Sequence, residues 1–251
     1  MNELVAGIDL CDEYTQVNCN DEEKTWTFPT VLCRHKVSGT WSVGEDAYAQ
    51  TLRGEGSLTD KLVKLVLKEG TATLEGIRYT AVELLERFLE RVLWQVQKNL
   101  GTEAGFQELV FTVRSLDERL TEALYSCGEK LGVDRARIRI IGHTEGLIYY
   151  MLSQKKEIWS GNVGLFDLSE QELRYYELKV QRGLKQNAVL AEFERIEESF
   201  SLDILETPSG AKLGDKILCT CAERLMQRKL YSAVFLMGKG FEKREWAEDF
   251  M

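Results

Sequence analysis

Val5-Ala6-Gly7-Ile8-Asp9-Leu10 and Val163-Gly164-Leu165-Phe166-Asp167-Leu168 are two short apolar runs, each ending in Asp-Leu and each turning into a second strand. An aspartate at the mouth of a buried strand, once in each half of a chain, predicts two similar domains facing a shared cleft with one carboxylate from each. That layout suits a metal-nucleotide site. Aspartate is also a common turn-former at strand ends, so Asp9 and Asp167 carry two readings, a cleft-facing carboxylate and a local turn residue.

Working outward from the first run, strands are expected at 4–10, 14–19 and 25–28, after which Pro29-Thr30-Val31 continues as extended chain towards Gly39 and Gly44. Thr80-Ala81-Val82-Glu83 is a capping box that launches a helix over 80–100, with Val82, Leu85, Leu89, Val92 and Val96 on one face. Leu109 to Val113 reads as a buried strand. Ser115-Leu116-Asp117-Glu118 has the form of a second capping box, opening a helix along Leu116, Leu120, Leu124 and Leu131 that Gly132 stops. A strand over 138–141 and a helix over 144–152 complete this half.

The second half begins again with strands at 163–168, 173–180 and about 187–193, so it repeats the opening meander. A helix over 213–228 follows, then a strand over 233–237, and Gly238-Lys239-Gly240 leads into a final helix. Charge and glycine interrupt the apolar pattern between Lys155 and Asn162. This places a first domain at 1–158, with the capped helix 80–100 as a subdomain element, and a shorter second domain at 159–251.

The chain has 251 residues, 44% of them hydrophobic and only 2 prolines, which is enough for two ordinary cores. Its 32 Lys plus Arg against 41 Asp plus Glu give a net charge of -9, which argues against a general nucleic-acid or anionic-membrane surface. No stretch approaches the ~20 apolar residues of a membrane helix. Leu4 to Leu10 carries an aspartate and has no basic leader, so it does not read as a signal peptide. Cys11, Cys19, Cys33, Cys127, Cys219 and Cys221 are scattered, and thiols in a reducing cytoplasm are their simplest account.

Five segments, in order, resemble the ATPase superfamily of actin, heat-shock chaperones and sugar kinases, and its chaperone branch in particular. Gly7-Ile8-Asp9-Leu10 with Tyr14-Thr15 is similar to the first phosphate hairpin. Phe28-Pro29-Thr30-Val31 with Ser42-Val43-Gly44-Glu45-Asp46-Ala47 is similar to a chaperone segment that begins at proline and ends in Val-Gly-x-x-Ala. Leu109 to Val113, a helix and Ile138 to Tyr150 resemble the heart of the first lobe. Phe166-Asp167-Leu168 resembles the second phosphate hairpin, and Val234 to Gly240 the adenosine segment. The resemblance implies an α/β chain with the two-lobed, ribonuclease-H-like architecture of that superfamily, each lobe a βββαβα-type mixed sheet with flanking helices. It implies a nucleotide cleft formed by Gly7, Asp9, Asp167, Gly238 and Gly240, and magnesium held through water by Asp9 and Asp167.

The departures fall where the chemistry would be. Phosphate is approached by backbone N–H groups of glycine and small hydroxyl residues, yet the first turn is Cys11-Asp12-Glu13 and the second Ser169-Glu170-Gln171-Glu172. A carboxylate ~4 Å from a phosphate costs up to about 4 kcal/mol at an effective dielectric of about 20, roughly a thousandfold in affinity. These side chains also read as solvated hairpin tips. The position of the family's catalytic glutamate holds His143, with Glu145 two places later. His143 has no Ser or Cys partner visible in the sequence and reads more simply as a structural histidine, while His35 has only a loop around it. Lys61 and Lys64 lie roughly where the chaperones keep a phosphate-contacting lysine, and a solvated face is the plainer reading. The second lobe has no room for the insertion that walls the adenine pocket, and the chain stops before a closing helix, as a piece of a longer protein would.

The expectation is therefore a degenerate member of the superfamily, with no cofactor and no efficient ATP hydrolysis. It would be a cytoplasmic module that binds or assembles with an unidentified protein partner, engaging neither nucleic acid nor membrane. The alternative is a divergent ATPase using ATP with magnesium, in which Asp9 and Asp167 hold the ion and Glu145 or His143 orients the attacking water. Self-association, as in actin's filaments, is a third possibility that no residue specifically favours.

Overall fold

The computed structural model describes residues 4–19, 24–153, 161–168, 172–180, 193–199 and 232–242. The chain is α/β, with mixed sheets and flanking helices. It divides into two units, Met1–Met151 and Leu152–Met251. The boundary expected between 158 and 159 falls outside the described residues, as do the second turn at 169–171 and the helix expected over 213–228.

The first unit opens with β1 (Leu4–Leu10), β2 (Tyr14–Cys19) and β3 (Thr25–Pro29), the meander read from the sequence. The stretch expected as extended chain resolves into β4 (Leu32–His35) and β5 (Trp41–Val43), followed by a helix α1 (Gly44–Leu52). Next come β6 (Gly56–Thr59), a short helix α2 (Leu62–Leu67), and a hairpin of β7 (Thr71–Leu74) and β8 (Ile77–Thr80). β4, β5 and β6 form a small sheet of their own, in the order β5-β4-β6.

Helix α3 (Ala81–Leu100) begins at the capping box. Thr80 Oγ1 accepts from the Glu83 N–H, and Glu83 Oε2 accepts from the Thr80 N–H at 2.8 Å. Its buried face includes Leu84, Leu85, Phe88, Leu89, Val92, Leu93 and Val96. The helix ends at Gly101, whose φ of +66° suits glycine. β9 (Phe106–Val113) is followed by α4 (Glu118–Lys130), then β10 (Ile138–Gly142) and α5 (His143–Ser153). The cap of α4 corrects the sequence reading. Asp117, and not Ser115, accepts the N–H groups of Arg119 and Leu120, and Leu116 lies before the helix, 58% exposed.

The main sheet of this unit has the order β10-β9-β1-β2-β3. β1, β9 and β10 run parallel, whereas β2 and β3 return antiparallel. Alternation along β1 sends Ala6, Ile8 and Leu10 into one core with the apolar faces of α3 and α4, and leaves Gly7 and Asp9 on the other face.

In the second unit β11 (Gly161–Leu168), β12 (Glu172–Val180), β13 (Phe193–Ser199) and β14 (Ala233–Met237) form a sheet of order β13-β12-β11-β14. The third strand is thus 193–199 and not about 187–193, most of which lies outside the described residues. β11 pairs antiparallel with β12 and parallel with β14. The order β13-β12-β11-β14 reproduces β3-β2-β1-β9, so the repetition read from the two Asp-Leu runs extends to strand pairing. After β14, Lys239–Glu242 forms a single 3-10 turn, and the final helix expected to follow Gly240 lies almost wholly outside the described residues.

Candidate functional site

Asp9 is the last polar residue of β1, and Cys11 follows the strand two positions later. A separation of two places side chains on the same face of an extended chain. The parallel register sets Asp9 beside Thr112 of β9, and Thr112 beside Ile141 of β10. The chain leaving β10 then starts α5 at once, with His143 as its first residue. Three parallel strands therefore deliver Asp9, Thr112 and His143 to their carboxyl ends, the usual ligand position of α/β sheets.

The contacts are short and specific. His143 Nε2 lies 2.6 Å from Asp9 Oδ1, and the Thr112 hydroxyl donates to the same oxygen at 2.9 Å. The Cys11 Sγ lies 3.9 Å from His143 Nε2. One ligand atom each from Asp9, Cys11 and His143 fall within 4.8 Å of one another. The imidazole is 15% exposed and the Asp9 side chain 45%, so the cluster is sheltered on one side and reachable on the other. Partial burial pushes the Asp9 carboxyl up, but the hydrogen bond and charge of His143 and the Thr112 hydroxyl together hold it below its ordinary value. The reading of His143 as lacking a cysteine partner is corrected by this geometry.

The other residues singled out from the sequence fall elsewhere. Glu145 is exposed on α5, where its carboxylate accepts from the Tyr149 hydroxyl one turn on, outside the cluster. Gly7 is exposed, and a Cβ added there would meet only the Asn18 carbonyl at 4.0 Å. Asp12 is not a solvated tip: its Oδ1 accepts from the N–H groups of Val63 and Lys64 at 2.9 and 3.2 Å. Lys61, at the N-cap position of α2, has a left-handed φ of 52° and no capping side chain, so Asp12 supplies the acceptor from 51 residues away. Burial raises the Asp12 carboxyl above its ordinary value despite those hydrogen bonds and the charges of Lys64 and Lys61. His35 closes its own turn, its Nδ1 accepting from Val37 and Ser38 N–H.

Asp167, Gly238 and Gly240 come together in the second unit. Asp167 is buried, 6% exposed, and pairs in register with Met237 of β14 and Arg174 of β12. Gly238 has a φ of +89°, and a Cβ there would lie 2.5 Å from both Asp167 Oδ1 and the Leu168 carbonyl oxygen. A Cβ at Gly240 would run into the Leu168 side chain. These glycines are needed for close packing onto the end of β11.

Cys11 and Thr112 are the members of the cluster that sequence reasoning did not assign. The spacing of Cys11 from Asp9 is a weak signal for the first. Nothing local points to Thr112, whose place depends on the register of β1 against β9.

Among the described residues no helix is long and apolar enough to cross a membrane. No curated protein matches the chain. Residues 13–251 match the model of a family described as "Family of unknown function (DUF5716) C-terminal", the match beginning just after Asp12. With nearly its whole length covered by that match, the chain belongs to this family.

Proposed function

We propose that the chain is a degenerate, two-lobed member of the actin, heat-shock-chaperone and sugar-kinase superfamily, nearest the chaperone branch and with a reduced second lobe. In this reading it does not turn over ATP efficiently and serves in the cytoplasm as a module that binds or assembles with a protein partner. The repeated strand order, β3-β2-β1-β9 and β13-β12-β11-β14, supports the architectural part.

The single observation that carries the functional part is the engagement of Asp9. A carboxylate that holds magnesium through water must face hydrated, oxygen-rich surroundings. Asp9 instead meets an imidazole at 2.6 Å, with a thiol beyond it. That donor set of nitrogen and sulfur suits magnesium poorly. His143 also stands where the superfamily's resemblance would put a water-orienting glutamate, and its Nε2 is held 2.6 Å from the carboxylate of the residue that would bind the metal. Asp12 adds a second obstacle, since its carboxylate already occupies the amides at the start of α2.

The reading is tested by measuring phosphate release from ATP with magnesium for the purified chain and for the double variant Asp9→Asn with Asp167→Asn. The expected result is the same background rate for both. Turnover well above background in the parent chain and absent from a folded double variant would overturn it in favour of the divergent ATPase.

A further inference from the structure

We propose that Asp9, Cys11 and His143 form a binding site for one divalent transition-metal ion of the zinc class, at the carboxyl ends of β1 and β10. The inference concerns the first unit alone and does not depend on whether the chain binds nucleotide.

The donor set carries the choice of ion. A thiolate, an imidazole and a carboxylate are the three ligand types that zinc takes, whereas calcium and magnesium select oxygen. Three protein ligands leave one position of a tetrahedron for water or a substrate, the pattern of catalytic rather than purely structural zinc. The half-exposed Asp9 side chain gives solvent a route to that position.

The geometry needs little adjustment. With bonds of about 2.0–2.3 Å, neighbouring ligand atoms around tetrahedral zinc stand roughly 3.3–3.8 Å apart. Cys11 Sγ and His143 Nε2, at 3.9 Å, stand just outside that spacing, and all three ligand atoms lie within 4.8 Å of one another, so they have to draw in slightly around the ion. His143 Nε2 and Asp9 Oδ1, at 2.6 Å, have to part by less than about 1 Å for an ion to enter between them. His143 Nε2 gives up the proton it shares with Asp9 so that the imidazole binds through that nitrogen, and the thiol proton of Cys11 is likewise released to solvent.

A positioning residue is also in place. Metal-binding carboxylates are themselves held by hydrogen bonds from a surrounding shell. Thr112 Oγ1 donates to Asp9 Oδ1 at 2.9 Å from the adjacent strand, in a register fixed by six consecutive residue pairs from Val5↔Glu108 to Leu10↔Val113. Asp9 and Cys11 share one strand and its exit, and His143 is fixed by the junction of β10 with α5. Each ligand thus projects from a regular element or its immediate end, as a precise site requires.

The test uses the purified full chain in a non-chelating reductant. Cobalt(II) is titrated while following sulfur-to-metal charge transfer, and zinc(II) is then added against a chromophoric chelator. One equivalent of cobalt with a thiolate band, displaced by one equivalent of zinc, is expected. Cys11→Ser should remove the band and weaken zinc at least about a hundredfold, since loss of an outer hydrogen-bond partner alone costs ~10–100-fold. Thr112→Val, which leaves all three ligands, should weaken zinc by that ~10–100-fold and keep the band. A band and affinity unchanged in Cys11→Ser would overturn the assignment. Because a variant can fail to fold, alkylation of the parent chain provides an independent reading. Zinc should slow iodoacetamide labelling of Cys11, followed by peptide mass spectrometry, and an unchanged labelling rate at saturating zinc would equally overturn the site.

Discussion

The ends of β1 and β11 occupy the same place in two sheets of the same strand order, yet they are chemically unlike. Asp9 lies beside a threonine of its parallel neighbour, is half-exposed, and meets an imidazole and a thiol. Asp167 lies beside a methionine of its parallel neighbour and is buried against a glycine whose Cβ would have no room. A repeated topology therefore conserves the location of a carboxylate and leaves its chemistry to whatever the next parallel strand and its exit bring. In the first unit β9 brings Thr112 and the exit of β10 brings His143. In the second, β14 brings Met237 and then Gly238. The first carboxylate belongs to a partly exposed cluster with an imidazole, a thiol and a hydroxyl, and the second to a packed strand end.

The contrast is sharpened most strongly at the two glycines. Gly238→Ala should destabilise the second unit by about 2–4 kcal/mol, because it combines a positive φ with overpacking against Asp167 and Leu168. Gly7→Ala should stay within about 0.5 kcal/mol. Hydrogen exchange read separately for each sheet is the right measurement, since a chain of two units need not unfold in one transition. Equal losses at both glycines would break the comparison.

Next come the aspartates themselves. Asp167→Ala removes a buried polar group from a packed site and should cost about 1–3 kcal/mol in the exchange protection of β11. Asp9→Ala removes a half-exposed carboxylate and its contact with His143 and should cost no more than about 1 kcal/mol in β1. The reverse order would mean that Asp9 is the structural carboxylate of the two. Asp12→Ala should cost about 1 kcal/mol and speed exchange at the Val63 and Lys64 amides, which lose their acceptor.

The smallest expected effect is a pH dependence. The Asp9 carboxyl titrates lower in the folded chain than its ordinary value of 3.8. Between those two values the unfolded state holds more protons, so stability rises with pH across that window. The contribution is complete above pH ~4 and is lost as pH falls through the lowered value. Asp9→Asn should flatten this acid limb in a melting series, by under about 1 kcal/mol given the exposure of the side chain. An acid limb unchanged in Asp9→Asn would assign it to other carboxylates.

The two larger sheets were largely legible because apolar patterning and capping chemistry are local, whereas the small sheet β5-β4-β6 and the hairpin β7-β8 were not. The runs around Asp9 and Asp167 and the Thr80–Glu83 box each announce themselves within a few residues. α1 and α2 were not legible. α1 buries only Gly44 and Ala47 and so has almost no apolar stripe, while α2 is six residues of nearly continuous Leu, Val and Lys that fit strand and helix equally. The cap of α4 was misplaced because Ser115 and Asp117 both offer a capping oxygen, and only the path of the chain decides between them.

The candidate site was half legible. Asp9 and His143 were singled out for their positions, but their direct pairing spans 134 residues and depends on strand order β10-β9-β1. Thr112 and Cys11 enter through the same long-range register. The role of Asp12 was hidden for a similar reason, since the helix it caps begins far along the chain. Residue types reveal what chemistry is available, and the pairing of distant strands determines which of it is brought together.

The central claim is that the end of β1 is built as a nitrogen, sulfur and oxygen cluster and not as a magnesium-nucleotide site. It is tested most directly by calorimetric titration of the purified chain with ATP in the presence of magnesium, with magnesium-only and EDTA controls. The account predicts no saturable heat up to millimolar ATP. Micromolar binding that requires magnesium and disappears in Asp9→Asn would contradict it.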